Sequence, residues 1–296
     1  MIDLNRIRTN PPVHANFFGK KRININFKLL KQKRDGELDK GGEKKWNSDF
    51  WKESKAQLLE ESNNKCAYCE TPTRVVAYGD VEHFRPKSIY WWLAYSYENY
   101  LPSCTACNQE YKKDYFELED PTGRLTGPVI TAAMTDADLK ALAPGLTVDP
   151  IDDAAGRRLQ DFKNEIRWEK ALILNPYFDI PSTYLAYLPI LENKEIVVVP
   201  TKTRYKKIVK ACEDLFGINR KELMDLRFQW YCHYMAFRQT LEKENLSDQT
   251  KITLENRIAD MRSEKSPYTG MILYFENLDF DELPWDPNIK IFNPMF

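Results

Sequence analysis

Two Cys-x-x-Cys knuckles, Cys66-Ala-Tyr-Cys69 and Cys104-Thr-Ala-Cys107, stand 34 residues apart in the chain. Each knuckle offers two thiolates on one turn, and tetrahedral zinc takes two such turns. The pair therefore predicts a structural Zn²⁺ held by Cys66, Cys69, Cys104 and Cys107. Closing that site pins both ends of the intervening segment. Inside or directly beside it lie Glu82-His83-Phe84-Arg85-Pro86-Lys87, Asn99 and Asn108. Zinc is then the clamp, and the polar residues it gathers are the candidate chemistry.

At 296 residues the chain exceeds the usual single-domain size, so two domains are expected. With 29% charged and 43% hydrophobic residues the composition is that of a soluble globular protein. It contains no apolar run of 18 residues, and the stretch after Met1 lacks the core of a signal peptide. A cytoplasmic location without membrane contact is therefore expected. Four metal-bound thiolates out of six cysteines suit that reducing compartment. Cys212 and Cys232 fall in helix-like sequence and read as buried apolar thiols. The net charge of −1 hides an asymmetry: residues 1–45 carry 12 Lys or Arg against 5 Asp or Glu, a net +7. Residues 1–117 as a whole carry +4 and the remainder −5. A basic half suits a nucleic-acid partner, and a solvated basic tail is the plainer alternative.

Along the chain, residues 1–45 are Lys-rich with little periodicity and read as a basic N-terminal arm, mostly loop, that orders on binding. Trp46 to Asn63 reads as a helix capped by Ser48, with Phe50, Trp51, Ala56, Leu58 and Leu59 on its apolar face. Arg74 to Glu82 has strand composition, ended by Pro86. The aromatic stretch Ile89–Tyr97 is expected to pack over the site. A second strand is expected at Tyr100 and Leu101, and a helix from Thr105 through Asp114. Residues 46–118 thus form one compact unit in the order strand, connection, strand, helix. Residues 119–165, broken by Pro and Gly, read as a linker or insertion with a short helix at Asp136–Leu142. Residues 166–296 read as a mainly helical domain with a strand near Ile196–Val199 and helices at about 203–215, 219–244 and 248–263. The class is α+β, and the acidic helical part, without a catalytic motif, would dock a partner or self-associate.

Hydrolysing a phosphodiester requires a deprotonated water, a cation against the phosphate and accurate positioning. A neutral imidazole is the side chain best matched to taking a proton near pH 7, so His83 is the candidate base. Glu82 and Asn108 are oxygen donors suited to Mg²⁺, which takes few protein ligands and keeps several waters. On a regular strand Glu82 and His83 face opposite ways, whereas Asp80 and Glu82 share a face. The strand must therefore twist or end at His83, or Asp80 becomes the alternative metal ligand. Arg85 and Lys87 are candidate phosphate contacts or ordinary surface charge. His14 and His233 read as surface or packing histidines, and the cluster Tyr90, Trp91, Trp92, Tyr95 and Tyr97 reads as core rather than a base-stacking platform.

This segment resembles the HNH endonucleases with a ββα-metal core, in the subclass stapled by a four-cysteine zinc. The match covers about residues 60–117. The wider wording, Glu-His-Phe-Arg-Pro-Lys, Trp92-Leu-Ala-Tyr and Asn99-Tyr-Leu-Pro-Ser-Cys-Thr-Ala-Cys-Asn, looks like the HNH proteins of bacterial anti-phage systems of the Septu and retron-associated type. Weaker likeness extends to Leu172–Asp179 and Gly217–Leu223. The resemblance implies Glu82 and Asn108 as ligands of a catalytic Mg²⁺ or Mn²⁺, His83 as general base and Asn99 as the residue tying the loop together. It also implies Lys112 or Lys113 at the phosphate, DNA as substrate with RNA left open, and an ATPase partner subunit. Two departures stand out: Glu82 replaces the commoner Asp, and the spacing from Asn108 to lysine is longer than usual. The rival reading is a zinc-stapled module that binds nucleic acid or protein through a vestigial HNH site. A zinc ribbon needs only the cysteines, so intact Glu82, His83 and Asn108 weigh against it.

Overall fold

The computed structural model describes residues 1–39, 46–73, 79–243 and 245–278. Helices dominate, with two separate two-stranded antiparallel sheets, so the class is α+β. The first helix, α1, spans Gly19–Arg34, followed by α2 at Ser48–Lys52 and α3 at Lys55–Glu61. Strand β1 (Asp80–His83) pairs with β2 (Tyr100–Ser103) in a register that sets Glu82 opposite Leu101 and His83 opposite Tyr100. The widened helical turn α4 (Ala106–Lys112) follows directly. Then come α5 (Asp136–Leu142), α6 (Leu159–Trp168), the hairpin of β3 (Leu185–Ile190) and β4 (Glu195–Pro200), and α7 (Lys206–Phe216). Helices α8 (Lys221–Leu241), α9 (Asp248–Arg262) and α10 (Thr269–Glu276) complete the described chain. None of the described helices is long and apolar enough to cross a membrane.

The largest correction falls on the N-terminal arm. Residues 19–34 are not loop but helix, and that helix is anchored from within. Arg22 is fully buried and donates to the carbonyls of Pro144 (2.9 Å), Thr147 (2.6 Å) and Ala155 (2.7 Å) while its Nε meets Asp149 Oδ2 at 3.3 Å. Asn26 Nδ2 donates to Ala143 O and Thr147 Oγ1 at 3.0 and 2.8 Å. Leu29 and Leu30 are wholly buried beside them. Polar groups mid-helix hid the amphipathic period, because they are buried through hydrogen bonds rather than hydrophobicity.

The same contacts hold part of the 119–165 segment. Gly156 sits at φ +144°, and a Cβ there would lie 2.1 Å from Pro144 O, so only glycine lets this turn close over Arg22. Helix α5 occupies Asp136–Leu142 as expected, with a reciprocal Thr135–Asp138 capping box.

Two further boundaries differ. The helix expected from Trp46 to Asn63 is interrupted between α2 and α3, where Ser54 Oγ bonds back to Trp51 O at 2.6 Å. Its N-cap is Asn47 rather than Ser48, and Ala56 is exposed. Of the strand expected over 74–82, β1 accounts for Asp80 onward, and residues 74–78 lie outside the described residues, as do 40–45 of the arm. The aromatic stretch is interior: Tyr90, Trp92, Tyr95 and Tyr97 are all buried. One buried apolar cluster runs from Phe17 and Leu29 through Tyr68, Leu101 and Phe162 to Phe216, Tyr234 and Phe275. The C-terminal helices therefore share core with the knuckles.

Candidate active site

The hairpin and α4 carry two sites on their two sides. At one end, Cys104 follows β2 immediately and Cys107 lies in α4, while Cys66 and Cys69 flank a tight turn closed by Glu70 N→Cys66 O at 2.9 Å. All four sulfur atoms lie within 4.8 Å of one another, with Cys69 and Cys104 Sγ 3.9 Å apart. That spacing fits a tetrahedral ion with bonds of about 2.3 Å, so the cluster can hold zinc. The thiols share their protons unevenly: neighbouring thiols, Cys104 first, hold Cys69 well below the usual thiol range, while burial pushes Cys66 well above it.

Arg220 completes this centre, and its role was not read from the sequence. Its guanidinium approaches Cys107 Sγ at 3.5 Å and Cys69 Sγ at 3.8 Å while also donating to Gly217 O at 3.1 Å. Four thiolates around Zn²⁺ carry an excess of two negative charges, and Arg220 offsets one of them. The same region closes tightly on the knuckles. Tyr68 stacks on Phe216 at 3.8 Å, and Gly217, at φ +60°, faces Tyr111 so closely that a Cβ would lie 2.5 Å from the ring.

On the other side, Glu82, His83, Asn108, Lys87 and Lys113 line one cavity of about 210 Å³ together with Trp51 and Asp114. Strand β1 ends at His83, which is how consecutive residues come to border the same space. His83 is buried between Trp51 and Tyr100, with ring centroids 4.9 and 5.1 Å away. Its Nε2 lies 3.0 Å from Ala94 O, which can only accept, so Nε2 carries the proton and Nδ1 is the basic nitrogen. Burial, followed by Lys87, pushes the His83 pKa down to about 3, so the ring is neutral at pH 7.

Glu82 is buried as well, and its carboxyl pKa is raised by that burial against the pull of Lys112. Lys112 Nζ lies 2.6 Å from Glu82 Oε1 in a buried ion pair. Lys112 also donates to His83 O at 3.2 Å and is itself wholly buried. Asn108 gives Nδ2 to Asp80 Oδ2 at 3.2 Å, and Gln109 binds the same oxygen at 2.9 Å. Asn108 Oδ1 is thereby turned into the acceptor that remains. A carboxylate whose counter-ion is a single lysine and a carboxamide oxygen beside one open cavity suit a hard divalent cation that retains waters.

The remaining candidates separate cleanly. Asp80 orients Asn108 and does not line the cavity. Asn99 forms a two-bond clasp, Oδ1 accepting from Arg85 N and Nδ2 donating to Arg85 O, both at 2.9 Å. Arg85 is buried, with its Nε and Nη2 both 2.7 Å from Glu169 Oε2, which removes it from the cavity and corrects its expectation as a phosphate contact. Lys112 is corrected in the same way by its pairing with Glu82, leaving Lys87 and Lys113 at the cavity. Burial raises the Cys212 thiol to about 12, Cys232 is half-buried, and His233 is exposed. Asp114, Trp51 and Glu169 were missed; only the adjacency of Asp114 to Lys113 was a signal.

Over 189 residues the chain is 31% identical to a Septu protein PtuB of Bacillus mycoides (strain KBAB4), covering 59% of this chain and 50% of that relative. It is 41% identical over 91 residues to a Septu protein PtuB of Bacillus thuringiensis, covering 30% of this chain and 34% of the relative. The matches thus span about half the length of these curated relatives or less. No family model matches the chain. No solved structure matches it.

Proposed function

We propose that this chain is a metal-dependent HNH-type endonuclease that hydrolyses DNA phosphodiester bonds as the effector of a bacterial anti-phage system. The single observation that carries this reading is the convergence of Glu82, His83 and Asn108 on one small cavity beside a four-thiol cluster. The likeness to relatives named Septu supports the defence role. In this reading residues 46–118 are the nuclease unit. The mainly helical region of 166–296 meets an ATPase subunit or a second copy of the chain.

Glu82 and Asn108 would hold Mg²⁺ or Mn²⁺, which when bound supplies positive charge to the phosphate and the leaving 3′ oxygen. Every other part is played by the chain. His83 Nδ1 takes the proton from the attacking water, and the Nε2 bond to Ala94 fixes the ring so that the lone pair stays aimed. Asp80 keeps the Asn108 oxygen turned toward the cavity. Lys113 and Lys87 meet the non-bridging phosphate oxygens as charge-assisted donors. Cys104 and Cys107, with Cys66 and Cys69, would hold a zinc that ties β2 to α4, on which Asn108 sits. Lys112 neutralises Glu82 while no divalent cation does, which keeps a buried carboxylate tolerable.

Plasmid nicking with Mg²⁺ and Mn²⁺ tests the assignment. His83→Ala should lose about 10²–10⁴-fold in rate with zinc content and the overall fold retained. Normal nicking by His83→Ala would sink the catalytic assignment. DNA binding without cleavage by the wild type, alone or with its partner, would favour the vestigial binding module instead.

A further inference from the structure

A larger cavity of about 380 Å³ lies next along the chain from the catalytic one, with Phe84 and Arg85, the two residues after His83, among its lining. Its other walls are α6 and the segment after it, the Asn175–Asp179 turn, and the start of α7. Six of its lining side chains are basic and two acidic. Arg85 is matched by Glu169, and Lys170 by Glu119 at 3.4 Å. That leaves Lys163, Arg167, Arg204 and Lys207, none of which forms an ion pair within 4 Å among the described residues, facing one lining carboxylate, Asp179, whose charge acts on Arg167 and Arg85. Four cations against the single carboxylate of Asp179 leave the concavity net positive, which favours an anion.

The rest of the lining is not that of a bare anion hole. Phe178 and Tyr184 are half-buried aromatic rings on its wall, and Lys163 Nζ lies 5.9 Å from the Phe178 centroid. Asn175 is buried with Oδ1 engaged by Tyr177 N at 3.0 Å, while its Nδ2 makes no hydrogen bond among the described residues. Cations for phosphate, ring faces for a base and a spare amide for its edge occur together in a volume that falls within the ordinary range of ligand pockets.

We propose that this cavity is a nucleotide-binding site: Lys163, Arg167, Arg204 and Lys207 take the phosphates while Phe178, Tyr184 and Asn175 receive the base. The phosphate-and-base chemistry can come from a free nucleotide or from one nucleotide of a strand. This assignment stands apart from the nuclease reading, because it concerns binding alone.

The test is titration of the intact chain, followed by calorimetry, with ATP, adenosine, tripolyphosphate and a short 5′-phosphorylated single-stranded DNA. Arg204→Glu/Lys207→Glu is the site variant; Lys20→Glu/Lys21→Glu, on α1, is the charge-matched control, and melting curves report folding. A free-nucleotide site is indicated when ATP binds, adenosine and tripolyphosphate bind at least tenfold more weakly, and only the site variant weakens ATP by tenfold or more. Binding of the oligonucleotide but not ATP, lost in the same variant alone, assigns the cavity to a strand. Tripolyphosphate binding as tightly as ATP, equal loss in both double variants, or no binding by either nucleotide probe overturns the proposal. His83→Ala should bind like the wild type, which keeps this outcome distinct from any failure of the nuclease assignment.

Discussion

The four-cysteine cluster and the Glu82–His83 cavity share β1, β2 and α4, and adjacent residues Cys107 and Asn108 serve one each, yet they are built on opposite principles. The cysteine site is closed: four thiols close enough to share one metal, the Arg220 guanidinium against two of them and aromatic packing of Tyr68 on Phe216 around it. The cavity is left incomplete. It has a carboxylate held only by Lys112 and, among the described residues, a carboxamide with a spare acceptor and a histidine with one ring nitrogen unused. A structural centre satisfies every group it buries, whereas the proposed nuclease site leaves groups free on the side where substrate and cation would enter.

The comparison can be broken hardest at the closed site. Cys66→Ser or Cys104→Ser, or stripping the metal with a chelator, should remove most of the order of residues 46–118, since structural zinc contributes about 10–16 kcal/mol in small zinc-dependent folds. Circular dichroism with zinc quantification would check this, and a well-folded metal-free variant would contradict the closed-site view. Lys112→Met comes next. It leaves Glu82 buried without a counter-ion and should cost about 3–5 kcal/mol in urea denaturation, part of which added Mg²⁺ should restore. A loss that Mg²⁺ does not reduce would show that the cation and Lys112 do not share Glu82.

Arg220→Gln should weaken zinc retention by about 10–100-fold in a chromophoric chelator competition while leaving the Glu82–Lys112 pair alone. A fall in zinc affinity smaller than twofold would demote Arg220 to ordinary packing. The smallest effect concerns pH. His83 is held neutral in the fold, with its pKa near 3, while the unfolded chain takes up the proton near 6.5. Stability is thus unaffected by this group above pH 6.5. It falls as pH drops from about 6.5 toward 3, by about 1 kcal/mol per unit. Melting temperatures against pH should show a shallower acid slope for His83→Phe than for wild type.

Much of the candidate site was legible because its signals are local. Knuckle spacing, the Glu82-His83 pair and the Cys107-Asn108 pair each sit within a few residues, and the helix read at Asp136–Leu142 is α5. The misreadings share one cause: each depended on a partner distant in the chain. Arg22 and Asn26 looked like solvent-facing residues of an arm until Pro144, Thr147 and Asp149 closed over them. Arg85 and Lys112 looked like phosphate contacts until Glu169 and Glu82 claimed them. Whether a charged side chain faces solvent or a buried counter-ion is not a property of its neighbours in sequence.

By itself the sequence determined that this chain has a four-thiol cluster, an α+β class and a carboxylate, imidazole and carboxamide near that cluster, because side-chain chemistry and short spacings are local. Only the tertiary structure decided which cations remain free, that Asp80 aims Asn108 instead of lining the cavity, and that Arg220 reaches back more than a hundred residues to the thiolates. Those outcomes follow from burial, which makes each charge find a partner wherever the fold brings one.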